Sequence, residues 1–213
     1  LYSKTDNEIY VNLYAGNTAT IKLKNNEFQI TETTNYPWNG KVELELNPKN
    51  NSETTFYLRV PSWARNVVMP GNLYQYTTTS TATSILKING KAQNATVQNG
   101  YFVITKNWKK GDVIELGIPM EVKMVTADEK VEEDRGKVTL EYGPLVYAVE
   151  EADNPNIDNI KIQKGEQFTP IMEANLLDGV VTLNKENFKA IPYYAWSNRG
   201  IGKMKVWLPF ENN

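Results

Sequence analysis

Two glutamates one residue apart are the first side chains here whose type and spacing could do chemistry. In KVELELN, Glu43 and Glu45 fall on one face of a strand, about 7 Å apart by strand rise. A carboxylate pair is what glycoside hydrolysis requires. Their neighbours argue otherwise: Val42, Leu44 and Leu46 alternate with them and Lys41 precedes them, which describes a solvated outer face. Glu132, Glu133 and Asp134 belong to the charged run DEKVEEDR and read as a solvated linker. Glu150, Glu151, Asp153 and Asp158 could hold calcium in a loop. Their spacing departs from the twelve-residue EF-hand pattern, and Pro155 interrupts it. No catalytic residue and no metal ligand is assigned from these carboxylates, and no cofactor is assigned to this chain.

Two absences narrow the chemistry further. The 213 residues contain no Cys and no His. Disulfides, thiolate nucleophiles, Cys/His zinc sites and a Ser-His-Asp triad are therefore excluded. General acid–base work at neutral pH would fall to tuned carboxylates, Lys or Tyr. No glycine-rich phosphate loop or dinucleotide fingerprint occurs. A net charge of −2 and a pI near 5.4 give no reason to expect nucleic acid or an anionic membrane surface as a partner. No apolar run approaches the roughly 20 residues of a membrane helix. The chain opens on Leu1 rather than Met and reads as a fragment or a processed product.

The aromatic inventory is richer, with five Trp and twelve Tyr. Such rings stack on sugars, and they also dominate sandwich cores by buried area. In TNYPWNG, Tyr36 and Trp38 flank Pro37 between two strands, and the chain turns at Asn39-Gly40. Trp63 follows Pro61 at a strand end, and Trp196 lies in IPYYAWSN. Tyr36, Trp38, Trp63 and Trp196 are the candidate surface residues, either for docking another domain or for carbohydrate. Trp108, ahead of KKGD, reads as the cap of a hairpin.

The elements that must position these residues are strands. Period-two alternation runs through Ile9–Leu13, Val42–Leu46 and Phe56–Val60, with further short strands at 84–89, 101–106 and 112–118. Asn89-Gly90 and Asn99-Gly100 are the dipeptides of two-residue hairpins. The stretch 66–83 is polar and Thr-rich, an exposed loop or edge excursion. LVYAV (145–149) is apolar throughout, as in a strand covered on both faces. Residues 166–178 read as one short helix, and FKAIP with KMKVWLPF as a final hairpin. The expectation is an all-β chain of two antiparallel β-sandwich domains in tandem, 1–125 and 126–213. The second has only a handful of strands in roughly 80 residues, thin for a free-standing sandwich.

Taken together, IYVNLYAGNTATI, ITETTNYPWNGKVELEL, FYLRVPSWARN, DRGKVTLEYGPLVYAVE and IPYYAWSNRGIGKMKVWLP span most of the chain. In that order they resemble the region downstream of the catalytic domain in glycoside hydrolase family 127, the β-L-arabinofuranosidase family. The resemblance implies a preceding (α/α)6 barrel that carries the active site, with a zinc-bound cysteine nucleophile and a glutamate acid/base. It places none of those residues on this chain, and zinc is expected only in the catalytic domain. It further implies an upstream barrel of the same polypeptide as partner, an arabinose-containing plant glycan as the parent's substrate, a possible homodimer, and a bacterial periplasmic or exported setting. The chain itself reads as non-catalytic, an accessory region or alternatively an independent carbohydrate-binding module.

Overall fold

The computed structural model describes residues 1–211. By internal contacts the chain forms two units, residues 1–65 with 82–119, and residues 66–81 with 120–213. The chain runs through β1 (Tyr2–Lys4), β2 (Glu8–Val11), β3 (Asn17–Lys22), β4 (Glu27–Thr34), β5 (Lys41–Pro48) and β6 (Ser52–Arg59). It supplies β7 (Tyr74–Tyr76) to unit 2, then returns for β8 (Ile85–Ile88), β9 (Lys91–Ala92), β10 (Val97–Gln98), β11 (Tyr101–Trp108) and β12 (Asp112–Gly117). Unit 2 continues with β13 (Val122–Ala127), β14 (Lys137–Tyr142), β15 (Leu145–Glu150), β16 (Ile162–Gln163) and β17 (Thr169–Glu173). It ends with β18 (Val180–Lys185), β19 (Phe188–Pro192), β20 (Met204–Lys205) and β21 (Leu208–Glu211). Among the described residues the only helices are three-residue 3-10 turns, so the all-β expectation holds.

Unit 1 is a two-sheet sandwich, with one sheet ordered β1-β2-β6-β11-β10 and the other β3-β4-β5-β12-β8-β9. The alternation read in β5 buries Val42, Leu44 and Leu46 and turns Lys41, Glu43 and Glu45 outward. Each such apolar side chain contributes about 1.5–3 kcal/mol when fully buried. The core aromatics form a chain of edge contacts, Phe28 on Phe56 at 5.5 Å and Phe56 on Trp108 at 5.1 Å between ring centres. Both expected Asn-Gly hairpins are present, with positive φ at Asn89, Gly90, Asn99 and Gly100.

The sheets depart from pure antiparallel pairing at β2 and β6, which run parallel. After β2 the chain crosses to the other sheet for β3–β5 and returns as β6, and a crossover of this kind is what parallel neighbours require. Trp108 does not cap a hairpin. It ends β11 in one sheet while β12 lies in the other, and its indole N–H donates to the Thr54 carbonyl at 2.8 Å with the ring fully buried.

Unit 2 centres on β16-β21-β14-β15-β19-β18-β17, with β13 and β20 branching from it. Within LVYAV, Tyr147, Ala148 and Val149 are all buried. Against the 125/126 division drawn from sequence, β13 pairs entirely within unit 2, with β14 on one side and β7 on the other. Residues 66–81 are therefore no loose excursion: β7 is a strand of unit 2, in register Val125 to Tyr76 and Ala127 to Tyr74. The Tyr76 hydroxyl donates to Glu141 at 2.9 Å, and the Lys123 ammonium sits 4.7 Å from the Tyr76 ring centre.

Two further expectations are corrected. The stretch 166–178 contains β17, not a helix; Pro170 suits an edge strand, and antiparallel pairing with β18 supplies hydrogen bonds that local propensity did not signal. The final hairpin is absent, because β19 pairs with β15 and β18 whereas β21 pairs with β14 and, in parallel, with β16.

Candidate functional site

The corner from Thr34 to Gly40 is built by local hydrogen bonds around a cis Tyr36-Pro37 peptide. The Trp38 N–H donates to the Asn35 carbonyl at 2.8 Å, closing a turn with cis-Pro at its third position. Thr34 accepts from the Tyr36 N–H and donates to the Lys41 carbonyl at 2.6 Å. Asn39 accepts from the Lys41 N–H. The reason for Gly40 differs from the hairpin logic that an Asn-Gly pair suggests: a Cβ there would lie 1.8 Å from the Ile118 carbonyl oxygen. Gly40 permits a close backbone approach, sealed by the Ile118 N–H donating to its carbonyl at 2.8 Å.

Behind this corner, three of unit 1's aromatics interlock. The Tyr36 ring meets Tyr14 edge-on at 6.0 Å, and the Tyr14 hydroxyl donates to the Arg59 carbonyl at 2.6 Å. The Trp63 side chain hydrogen-bonds the Tyr36 hydroxyl, while burial pushes the Tyr36 phenol above its ordinary range. Trp63 itself is buried in a 3-10 turn, so it has no face to offer a sugar. Trp38 is half-buried on the corner. The structure thus brings Tyr36 and Trp63 together with Tyr14, a member that the sequence did not single out.

Trp196 belongs to unit 2 and is exposed. It sits on the loop after β19, which also presents Tyr193, Tyr194 and Ile201 to solvent. The loop is pinned from beneath by Arg199, whose Nε donates to Glu150 at 3.1 Å and whose Nη1 donates to Asp153 at 3.0 Å. Glu150 also accepts from the Ser197 N–H at 2.7 Å. Hydrogen bonds that it donates to Asp153, opposed by burial and reinforced by those to Glu150, hold the guanidinium above its ordinary range. Of the four carboxylates read from sequence as calcium candidates, Glu150 and Asp153 pair with Arg199, Asp158 pairs with Lys203 and Lys205, and Glu151 accepts from the Lys203 N–H.

The carboxylate pair also changes membership. Glu45 accepts from Asn47 on its own strand. Glu43 instead lies directly opposite Glu115 of β12, which lies opposite Lys87 of β8 on its other side. Glu43, Glu115 and Lys87 line a trough of about 430 Å³ on the outer face of unit 1, bounded at one end by Asn35 and Asn39 of the corner. Alternation alone turns each of these side chains outward, but only the strand register assembles them.

The family model described as beta-L-arabinofuranosidase, GH127 middle domain, matches residues 8–120, and the glycoside hydrolase family 127 C-terminal domain matches residues 122–209. The chain belongs to glycoside hydrolase family 127. Among family 127 proteins, the non-reducing end beta-L-arabinofuranosidase of Bifidobacterium longum subsp. longum is 28% identical, over 84% of this chain and 30% of that protein. A solved GH127 beta-arabinofuranosidase superposes with a TM-score of 0.91 at 36% identity, covering 99% of this chain and 36% of its own. The GH127 beta-L-arabinofuranosidase of Geobacillus stearothermophilus T6 gives 0.84 at 31% identity, covering 99% and 35%. The chain therefore spans about a third of the length of these relatives. Zinc held by cysteine does not fit this piece of the family: the sequence has no Cys, and among the described residues no three potential metal ligands gather.

Proposed function

We propose that this chain is the non-catalytic C-terminal accessory region of a β-L-arabinofuranosidase-like glycoside hydrolase, bracing an upstream (α/α)6 barrel. The observation that carries this reading is the match to the middle and C-terminal family models together, over a chain a third as long as its relatives. The depleted chemistry agrees with it, since neither Cys nor His is available and the clustered carboxylates of unit 2 are bound by Arg and Lys. Under this reading the corner at Tyr36 and Trp38 and the loop bearing Trp196 are docking surfaces, for the barrel or for a second copy of the chain. The parent's substrate is an arabinose-containing plant glycan.

A second reading, an independent carbohydrate-binding module, is favoured by the exposed ring of Trp196 and by the open polar trough of unit 1. The deciding experiment assays the purified chain on aryl glycosides, aryl β-L-arabinofuranoside among them. No turnover is expected. Turnover abolished by Glu43→Gln or Glu115→Gln would overturn the accessory reading. Sequencing the gene upstream of Leu1 is the companion measurement, expected to reveal a helical region of barrel length carrying Glu and a Cys cluster.

A further inference from the structure

The trough on the outer face of unit 1 combines three properties that an ordinary strand surface lacks. First, its charges balance: Lys41 and Lys87 are set against Glu43 and Glu115. A site with no net charge suits a neutral ligand. Second, several of its polar side chains are unspent, although Thr34 and Asn39 are used in the corner. Among the described residues the side chains of Thr33, Asn35, Glu43 and Lys87 make no hydrogen bond or ion pair, although Lys87 lies directly opposite Glu115. One Glu115 oxygen, Oε2, is cut off from solvent and has no hydrogen-bond partner. That oxygen is closed to a ligand in the trough as well, so a donor entering it meets the other carboxylate oxygen, Oε1, which takes part in no hydrogen bond among the described residues.

Third, the trough has an apolar rim. Gly117 has no side chain between Lys41 and Ile85, its neighbours on the adjacent strands. A Cβ there would lie 2.7 Å from Ile85 Cγ1, so the glycine lets Ile85 fold across the strand while remaining 55% exposed. The volume of about 430 Å³ falls within the roughly 300–1,000 Å³ of small-molecule clefts.

We propose that this trough binds a neutral oligosaccharide. A sugar hydroxyl both donates and accepts, so one ligand type can donate to Glu115 and Glu43 while accepting from Lys87 and the Asn35 amide. The C–H face of the same ring rests against Ile85. The site's position stands on the geometry alone; the choice of arabinose-containing oligosaccharides as first ligand rests on the family reading.

The test titrates the 213-residue chain with arabino-oligosaccharides, and separately with xylo- and cello-oligosaccharides, by calorimetry. Saturable binding is expected, weakened about tenfold or more by Glu115→Gln and by Glu43→Gln. Trp38→Ala and Trp196→Ala should leave it within twofold. Thermal melts of the glutamate variants are expected to match the parent, which separates lost binding from lost fold. Binding of xylo- or cello-oligosaccharide alone, with the same dependence on Glu115, would support the trough while sinking the family-derived ligand. Three outcomes would overturn the proposal: no binding of any of these saccharides, binding that depends on Trp196 and not on Glu115, or calcium binding lost with Glu115→Gln in place of sugar binding.

Discussion

In unit 2, Glu150 and Asp153 are gripped by Arg199, whereas in unit 1 Glu43 and Glu115 face each other across β5 and β12 with no cation in ion-pair reach among the described residues. Taken singly, all four look alike in the sequence, as acidic residues on or beside a strand. The difference lies in what the fold brings against them. The unit 2 carboxylates are spent on holding a loop, so removing their partner should cost stability. The unit 1 carboxylates hold nothing in place, so removing them should cost only what they bind.

The largest effect expected from this contrast is at Arg199. Arg199→Ala strands two partly buried carboxylates, and chemical denaturation should show a loss of about 2–3 kcal/mol. That is below the cost of a fully buried pair because the Arg199 side chain keeps 21% exposure. An unchanged midpoint would erase the distinction between the two units.

Asp112 sharpens the contrast within unit 1, since it is a carboxylate there that is structurally spent. It accepts from Asn89 at 2.8 Å, from the Lys109 N–H at 2.9 Å and from Lys106 at 3.1 Å. Burial alone would raise its pKa, but these hydrogen bonds together hold it below the ordinary aspartate range. Asp112→Ala is expected to cost about 2 kcal/mol near neutral pH. Because the folded-state pKa is depressed, this contribution is complete above the unfolded value and is lost as pH falls through the folded one. The acid limb of a stability–pH curve should therefore be shallower in the variant than in the parent.

Smaller effects follow at the surface. Trp38→Ala removes half-buried aromatic area from the corner and should lower stability by about 1–2 kcal/mol without altering saccharide affinity; a selective loss of affinity would make the corner, not the trough, the sugar platform. Glu115→Gln should change stability by less than about 0.5 kcal/mol, with the sign toward stabilisation, because like charges directly opposite on paired strands repel. Equilibrium melts that show a clear loss there would mean Glu115 is structural after all.

Several features are legible in the sequence alone. The alternation at Val42, Leu44 and Leu46 placed β5 correctly and turned its charged face outward. The two Asn-Gly turns announced their hairpins, since left-handed backbone at both central residues is a local property. What failed was everything set by distant partners. Residues 169–173 form a strand because β18 is there to pair with them. Tyr74–Tyr76 form one because β13 lies free on one side, and no local signal in a Thr-rich stretch reports that. Gly40 is required by the Ile118 backbone and not by its own turn, and no local signal reports that approach.

The candidate site divides in the same way. The aromatic residues could be named from composition, yet Trp63 turned out buried and Trp196 exposed, a difference that no ring chemistry encodes. Composition and short-range pattern by themselves determined an all-β chain, poor in catalytic groups, with charged outer faces and its hairpin turns in place. Strand register and sheet order were decided only by tertiary structure. A strand's own pattern settles which face a side chain takes, whereas the residue across from it is chosen by another segment of the chain. Glu43 therefore pointed outward by sequence, and only the pairing of β5 with β12 set Glu115 opposite it.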